Sequence, residues 1–229
     1  MLLRVAMALR DTVCTELASL EYAMGTLVAR GLLRGVGSGC RIHASVRYLQ
    51  PTRIVVGSGC EIRAGTILDG RSSSRPSINI GDGCRIKDHV SLACYGGSIT
   101  LGTNVLVGRC ATIFGHGGVR VGDDSMLGPM VTVVSDEYLS YLEHGPFQAQ
   151  GFTRSPIEIG SNVWIGGGVT ILAGVSIGSD SVVGAGSVVN SDLPSCWLSG
   201  GVPAKPVRRL GSDRPPDVRV CHRDWGLLE

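Results

Sequence analysis

Few residues in this chain are suited to proton chemistry near neutral pH. Histidines stand at 43, 89, 116, 144 and 222, and imidazole is the side chain whose ordinary titration falls in that range. His144 lies in the polar, aromatic stretch SDEYLSYLEHGPF at 135–147. His116 lies in FGHGG, three residues after Ile113, and Asp136 lies three residues after Val133. A histidine beside a carboxylate is a general base with a group to orient it. Metal chemistry finds less support. The eight cysteines (14, 40, 60, 84, 94, 110, 196 and 221) form no CxxC and no Cys/His spacing that suits zinc. The expectation is therefore a site without a metal. The only basic cluster is Lys205, Arg208 and Arg209, and 21 Lys+Arg against 19 Asp+Glu leave a net charge of +2. That is no nucleic-acid footprint.

The elements that must position these residues repeat every six positions. Ile159, Ile165, Ile171, Ile177, Val183 and Val189 are apolar at a spacing of six, and Val163, Val169, Val175, Ser181, Ser187 and Leu193 follow each by four. Stepping back gives Val121/Leu127/Val133, Leu101/Val107/Ile113, Ile80/Ile86/Leu92, Val56/Ile62/Leu68 and Val36/Ile42/Tyr48. Three hexapeptides make one turn of a triangular coil. The apolar residue points inward, a small residue fills the corner, and coils stack at strand spacing. The fold class is all-β, a parallel β-helix, whose hand periodicity alone does not fix. With 34 glycines and 5% aromatics the chain suits many tight corners. Counting along the coils brings His116 and Asp136 to equivalent positions one coil apart. Cys40, Cys60 and Cys84 form a column on one inner edge, read as small buried hydrophobes.

Residues 1–35 differ. Leu2, Leu3, Val5, Ala6, Leu9, Val13, Leu17, Leu20 and Met24 recur at near-helical spacing. They predict an amphipathic helical segment packed on the domain behind it, with peripheral membrane contact by residues 1–34 as the sharper alternative. The organisation expected is this segment, a β-helix over 36–207 with an excursion loop at 134–157, and a tail at 208–229. No run reaches the ~18 apolar residues of a spanning helix, and MLLRVAMALRD does not read as a secretory signal. Free thiols fit a cytoplasmic location.

The segment 155–208, with PIEIGSNVWIG, VTILAGVSIG, VVGAGSVV and GVPAKPVR, resembles the hexapeptide-repeat acyltransferases, and among them the maltose/galactoside O-acetyltransferase branch. The resemblance implies a left-handed β-helix, a homotrimer, and acetyl-CoA or another acyl-CoA as donor in a groove between neighbouring subunits. It implies a small sugar or glycan acceptor and a role in polysaccharide biosynthesis. Trp164 falls on the tryptophan that lines the groove near the reacting centre. Gly166 and Ala185 fall where backbone groups bond the pantetheine arm, and Lys205 and Arg208 where basic residues meet the CoA phosphates. The solvated end of a β-helix is the plainer reading of those two.

Acyl transfer from a thioester to a hydroxyl needs a base, donors for the developing oxyanion, and a water-poor cleft. The resemblance implies a histidine base five residues after Val133. That position is Tyr138, and counting back from Pro156 gives Leu139. Tyrosine, with an ordinary pKa of about 10, is a poor base; Tyr138 is read as lining the acceptor site. Three readings stay open: His144 as base, His116 as base with Asp136 orienting it, or no base in a CoA-binding scaffold trimer. An N-acetyltransferase on an amino sugar is a close variant of the leading O-acetyltransferase. A zinc hydratase on the same fold needs two closely spaced histidines, which 89, 116 and 144 do not supply. His43 and His89 are read as structural or solvent-facing.

Overall fold

The computed structural model describes residues 2–73, 76–141 and 145–211, and of 2–15 the backbone course alone. One helix, α1 (Leu2–Leu32), is followed by short strands. They form three parallel sheets, the faces of a triangular prism, in seven coils of a left-handed β-helix. The first face begins with Gly35–Val36, the second with Arg41–Ile42 and the third with Arg47–Leu49. The second face is extended by an antiparallel pair, Trp197–Gly201 and Ala204–Arg209.

The six-residue register reappears as ladders. On the third face Tyr48, Leu68, Leu92, Ile113, Val133, Ile171 and Val189 are successive partners. All but Tyr48 are buried in one continuous core, and Tyr48 packs against it. Burial pushes the Tyr48 hydroxyl up to about 12, because the charged form would lose its water. Corners between the first and second faces turn through left-handed backbone, with φ of 68° at Gly39, 67° at Gly59, 67° at Gly83 and 56° at Asn104. Glycine and asparagine are the residues that tolerate this. The cysteine column is present: the Cys40, Cys60 and Cys84 thiols reach the Gly57, Gly81 and Gly102 carbonyls at 3.0, 3.1 and 3.0 Å.

Helix α1 covers the open end of the first coil. Thr26 Oγ1 accepts the Ile42 N–H at 2.9 Å, and Ala29 and Leu33 are buried beneath. His43 links the two elements, with Nε2 3.0 Å from Glu21 Oε2 and Nδ1 2.8 Å from Ser45 Oγ. The opposite side, with Leu17, Leu20, Met24 and Leu27, is exposed, so packing accounts for one face of the helix only. At Gly25 a methyl group would run into the Ile42 carbonyl and the His43 backbone. Alanine there gains about 1 kcal/mol of helix propensity. Overpacking against rigid backbone costs about 1–3 kcal/mol and outweighs it. Gly25→Ala is expected to lower the denaturation midpoint and to speed hydrogen exchange in α1.

Candidate active site

The chain leaves the coils after Thr132–Val134, runs out as Asp136–Tyr138, and returns as Phe152–Arg154 before Ile157–Ile159. The two outer strands pair antiparallel, Asp136 opposite Arg154 and Tyr138 opposite Phe152. Directly opposed and alternate residues share a face of such a ribbon, so these four line one side and Glu137 and Thr153 the other. Ser135 pins the exit. It is fully buried; its hydroxyl donates to the Phe114 carbonyl at 2.8 Å and accepts the Gly117 N–H at 2.9 Å. The return strand closes on it through the Ser155 N–H to the Ser135 carbonyl, 3.1 Å. Gln150, ending the short helix Phe147–Gln150, braces the tip by bonding Tyr141 N–H, Tyr141 C=O and Gly145 C=O.

The ribbon's inner side meets His116. Nδ1 of His116 lies 2.9 Å from Asp136 Oδ1, with the side chains 20% and 11% exposed. Both atoms are sealed from solvent without another partner, and their approach is out of line for a straight hydrogen bond. The 2.9 Å separation carries the argument, since a charge contact depends on distance more than on angle. The imidazole is stacked on Tyr95, with centroids 4.9 Å apart and planes at 24°, and meets the edge of Phe152 at 5.3 Å. Tyr138 touches Phe152 at 5.9 Å. With Nδ1 turned to the carboxylate, Nε2 is the ring nitrogen left for an outside partner.

A single count explains the assembly. Leu68, Leu92, Ile113 and Val133 are successive partners on the third face. The residues three positions later are Arg71, Tyr95, His116 and Asp136, one column across four coils. Sequence reasoning used the last two and passed over Tyr95 and Arg71, although the same step finds them. Phe152 and Arg154 lay beyond that signal, because their placement depends on where the excursion folds back. Arg71 binds Asp69, Nη2 to Oδ2 at 2.6 Å, and this carboxylate raises the guanidinium's pKa. His144 lies outside the described residues.

The remaining predicted site residues gather elsewhere. Trp164, Val182, Leu198 and Arg208 are successive partners across the second face, spanning roughly 14 Å at normal strand spacing. Trp164 is 54% exposed, and Lys205 and Arg208 are exposed. Lys205, opposite Gly200, shares the outer side with Arg208, and neither has an acidic partner among the described residues. Gly166 is buried, donates its N–H to the Val183 carbonyl at 2.8 Å, and has no room for a side chain beneath the Ala185 backbone. Ala185 is exposed at the next corner. His116 occupies the corner between the third and first faces, across the prism from Trp164. One copy of the chain does not bring the two together. No group of three or more metal-ligating side chains occurs among the described residues.

Family profiles match two stretches: the six-repeat bacterial transferase hexapeptide over 156–191 and the hexapeptide repeat of succinyl-transferase over 98–129. A "probable acetyltransferase" of Mycobacterium tuberculosis is 28% identical over 155 residues, 68% of this chain and 49% of the relative. This chain thus spans about half the length of that curated relative. Among solved structures, AntD, an N-acyltransferase from Bacillus cereus in complex with dTDP and 3-hydroxybutyryl-CoA, aligns at TM-score 0.57 and 18% identity over 81% of this chain and 88% of its own. That likeness speaks for the fold. A hexapeptide-repeat acetyltransferase from Vibrio cholerae, complexed with acetyl-CoA, is 26% identical over 82% of this chain and 78% of its own, with a TM-score of 0.46.

Proposed function

We propose that this chain, which belongs to the hexapeptide-repeat transferases, moves an acyl group from acyl-CoA, acetyl-CoA in the first instance, to a hydroxyl of a sugar or glycan. The observation that carries the reading is the His116–Asp136 pair beneath the excursion ribbon. An alcohol must lose its proton as it attacks the thioester carbonyl, and Nε2 of His116 would take it. The carboxylate favours the proton on Nδ1, which leaves the Nε2 lone pair free to accept. The bond from hydroxyl oxygen to acyl carbon forms and the carbon–sulfur bond breaks. The proton held at Nε2 then neutralises the departing thiolate. Tyr95 and Phe152 keep the imidazole fixed in a partly dry setting, where such contacts strengthen. Transfer to the amine of an amino sugar would use the same base.

The donor would lie along the second face, with Trp164 beside the reacting end and Lys205 and Arg208 at its phosphates, where cations are expected. Because His116 and Trp164 are on opposite sides of the prism, a working site needs a second copy of the chain. A homotrimer satisfies that, each groove lying between two copies. The test is CoA release from acetyl-CoA with a carbohydrate panel. Release is expected only when an acceptor is present. The double substitution Lys205→Ala/Arg208→Ala is expected to raise KM for acetyl-CoA about tenfold, with kcat little changed and the defect shrinking as salt rises. Release without acceptor, or a KM unmoved by the double substitution, contradicts the reading.

A further inference from the structure

The stack around His116 ends in two guanidinium groups that are not equivalent. Arg71 lies over Tyr95, 5.8 Å from its centroid, and is neutralised by Asp69. Arg154 lies over Phe152 at 5.2 Å. Its side chain is exposed, and its guanidinium rests 3.6 Å from where a side chain on Gly96 would begin. No carboxylate pairs with it among the described residues. The acidic residue opposite it on the ribbon, Asp136, is committed to His116. The distances from Phe152 to His116 and to Arg154, 5.3 and 5.2 Å, confine base and cation to the span of one substituted hexose. A guanidinium over an aromatic ring with no carboxylate partner among the described residues presents a planar fork of donors that fits a carboxylate or a phosphate.

We propose that the acceptor is anionic, a sugar bearing a carboxylate or phosphate that pairs with Arg154 while its reacting hydroxyl meets His116. This rests on the reading of His116 as the base. Arg154 is then a specificity-determining residue, and a neutral sugar leaves its charge unanswered.

The probes are glucuronic acid, glucose 6-phosphate and glucose, titrated calorimetrically into the full chain and into Arg154→Gln and Arg154→Lys. At least one of the two acids is expected to bind about tenfold or more tightly than glucose, and comparing them separates carboxylate from phosphate. Arg154→Gln is expected to erase that preference, Arg154→Lys to keep part of it, and glucose to be indifferent to both. In the CoA-release assay Arg154→Gln is expected to raise KM for the preferred acid by a larger factor than KM for glucose. The proposal is overturned if neither acid outbinds glucose, or if Arg154→Gln weakens all three alike. Arg154-dependent binding of an acid with no CoA release from acetyl-CoA would leave the anion-binding role of Arg154 standing and overturn the catalytic reading, and with it the role of that acid as acceptor.

Discussion

Replacing His116 with asparagine is expected to lower acceptor-dependent CoA release by about 100- to 10,000-fold, the range a positioned general base contributes. Asparagine is shorter than histidine, is not basic, and keeps a polar group facing Asp136. The loss should fall on kcat, since on the proposed reading His116 takes the acceptor's proton while the donor's phosphates are held by Lys205 and Arg208. KM for acetyl-CoA should therefore stay near the native value. His144→Asn, in the excursion loop, is the matched control and is expected to retain most of the native rate. A dead His144 variant beside an active His116 variant would reverse the assignment.

Asp136→Asn is expected to lower kcat by about 100-fold or more, and the reason is the imidazole tautomer. An asparagine amide can turn its NH2 toward Nδ1, which then accepts and leaves the ring proton on Nε2, where a base is needed. In the serine-protease template the same exchange costs about 10,000-fold for that reason. On the proposed reading Asp136 acts through His116, as a positioning residue. A kcat loss at constant KM, with an unchanged circular dichroism spectrum, separates this role from a structural one. A cost in stability of about 1–3 kcal/mol should accompany it if the amide fails to satisfy the sealed Nδ1. An Asp136→Asn enzyme with native kcat would remove the carboxylate from the account.

The coils were legible because their cause is local and periodic. An apolar residue every six positions has one inward direction in a triangular coil, and the ladder from Tyr48 to Val189 follows. The His116–Asp136 contact was legible for the same reason, since both are counted from partnered residues, Ile113 and Val133. The hand of the helix came from family resemblance, because six-residue periodicity is silent on it. The excursion was visible only as a break in the repeat. Its ribbon is set by pairing between residues 14 or more positions apart, such as Tyr138 with Phe152, and no period announces such a pair. Phe152 and Arg154 were missed on that account. The exposed side of α1 was read from its apolar spacing as buried against the domain. The first coil offers room for only one side of the helix, the side with Thr26, Ala29 and Leu33.

The central claim, acyl transfer to a carbohydrate with His116 as base, is tested most directly with acetyl-CoA carrying an isotopic label in the acetyl group. The enzyme is incubated with that donor and the carbohydrate panel, and label in the carbohydrate fraction is measured by mass spectrometry. One labelled acetyl group on an acceptor is expected with the native chain, and loss of that product with His116→Asn. Label recovered only as free acetate, or transfer at the native rate by the His116 variant, would contradict it.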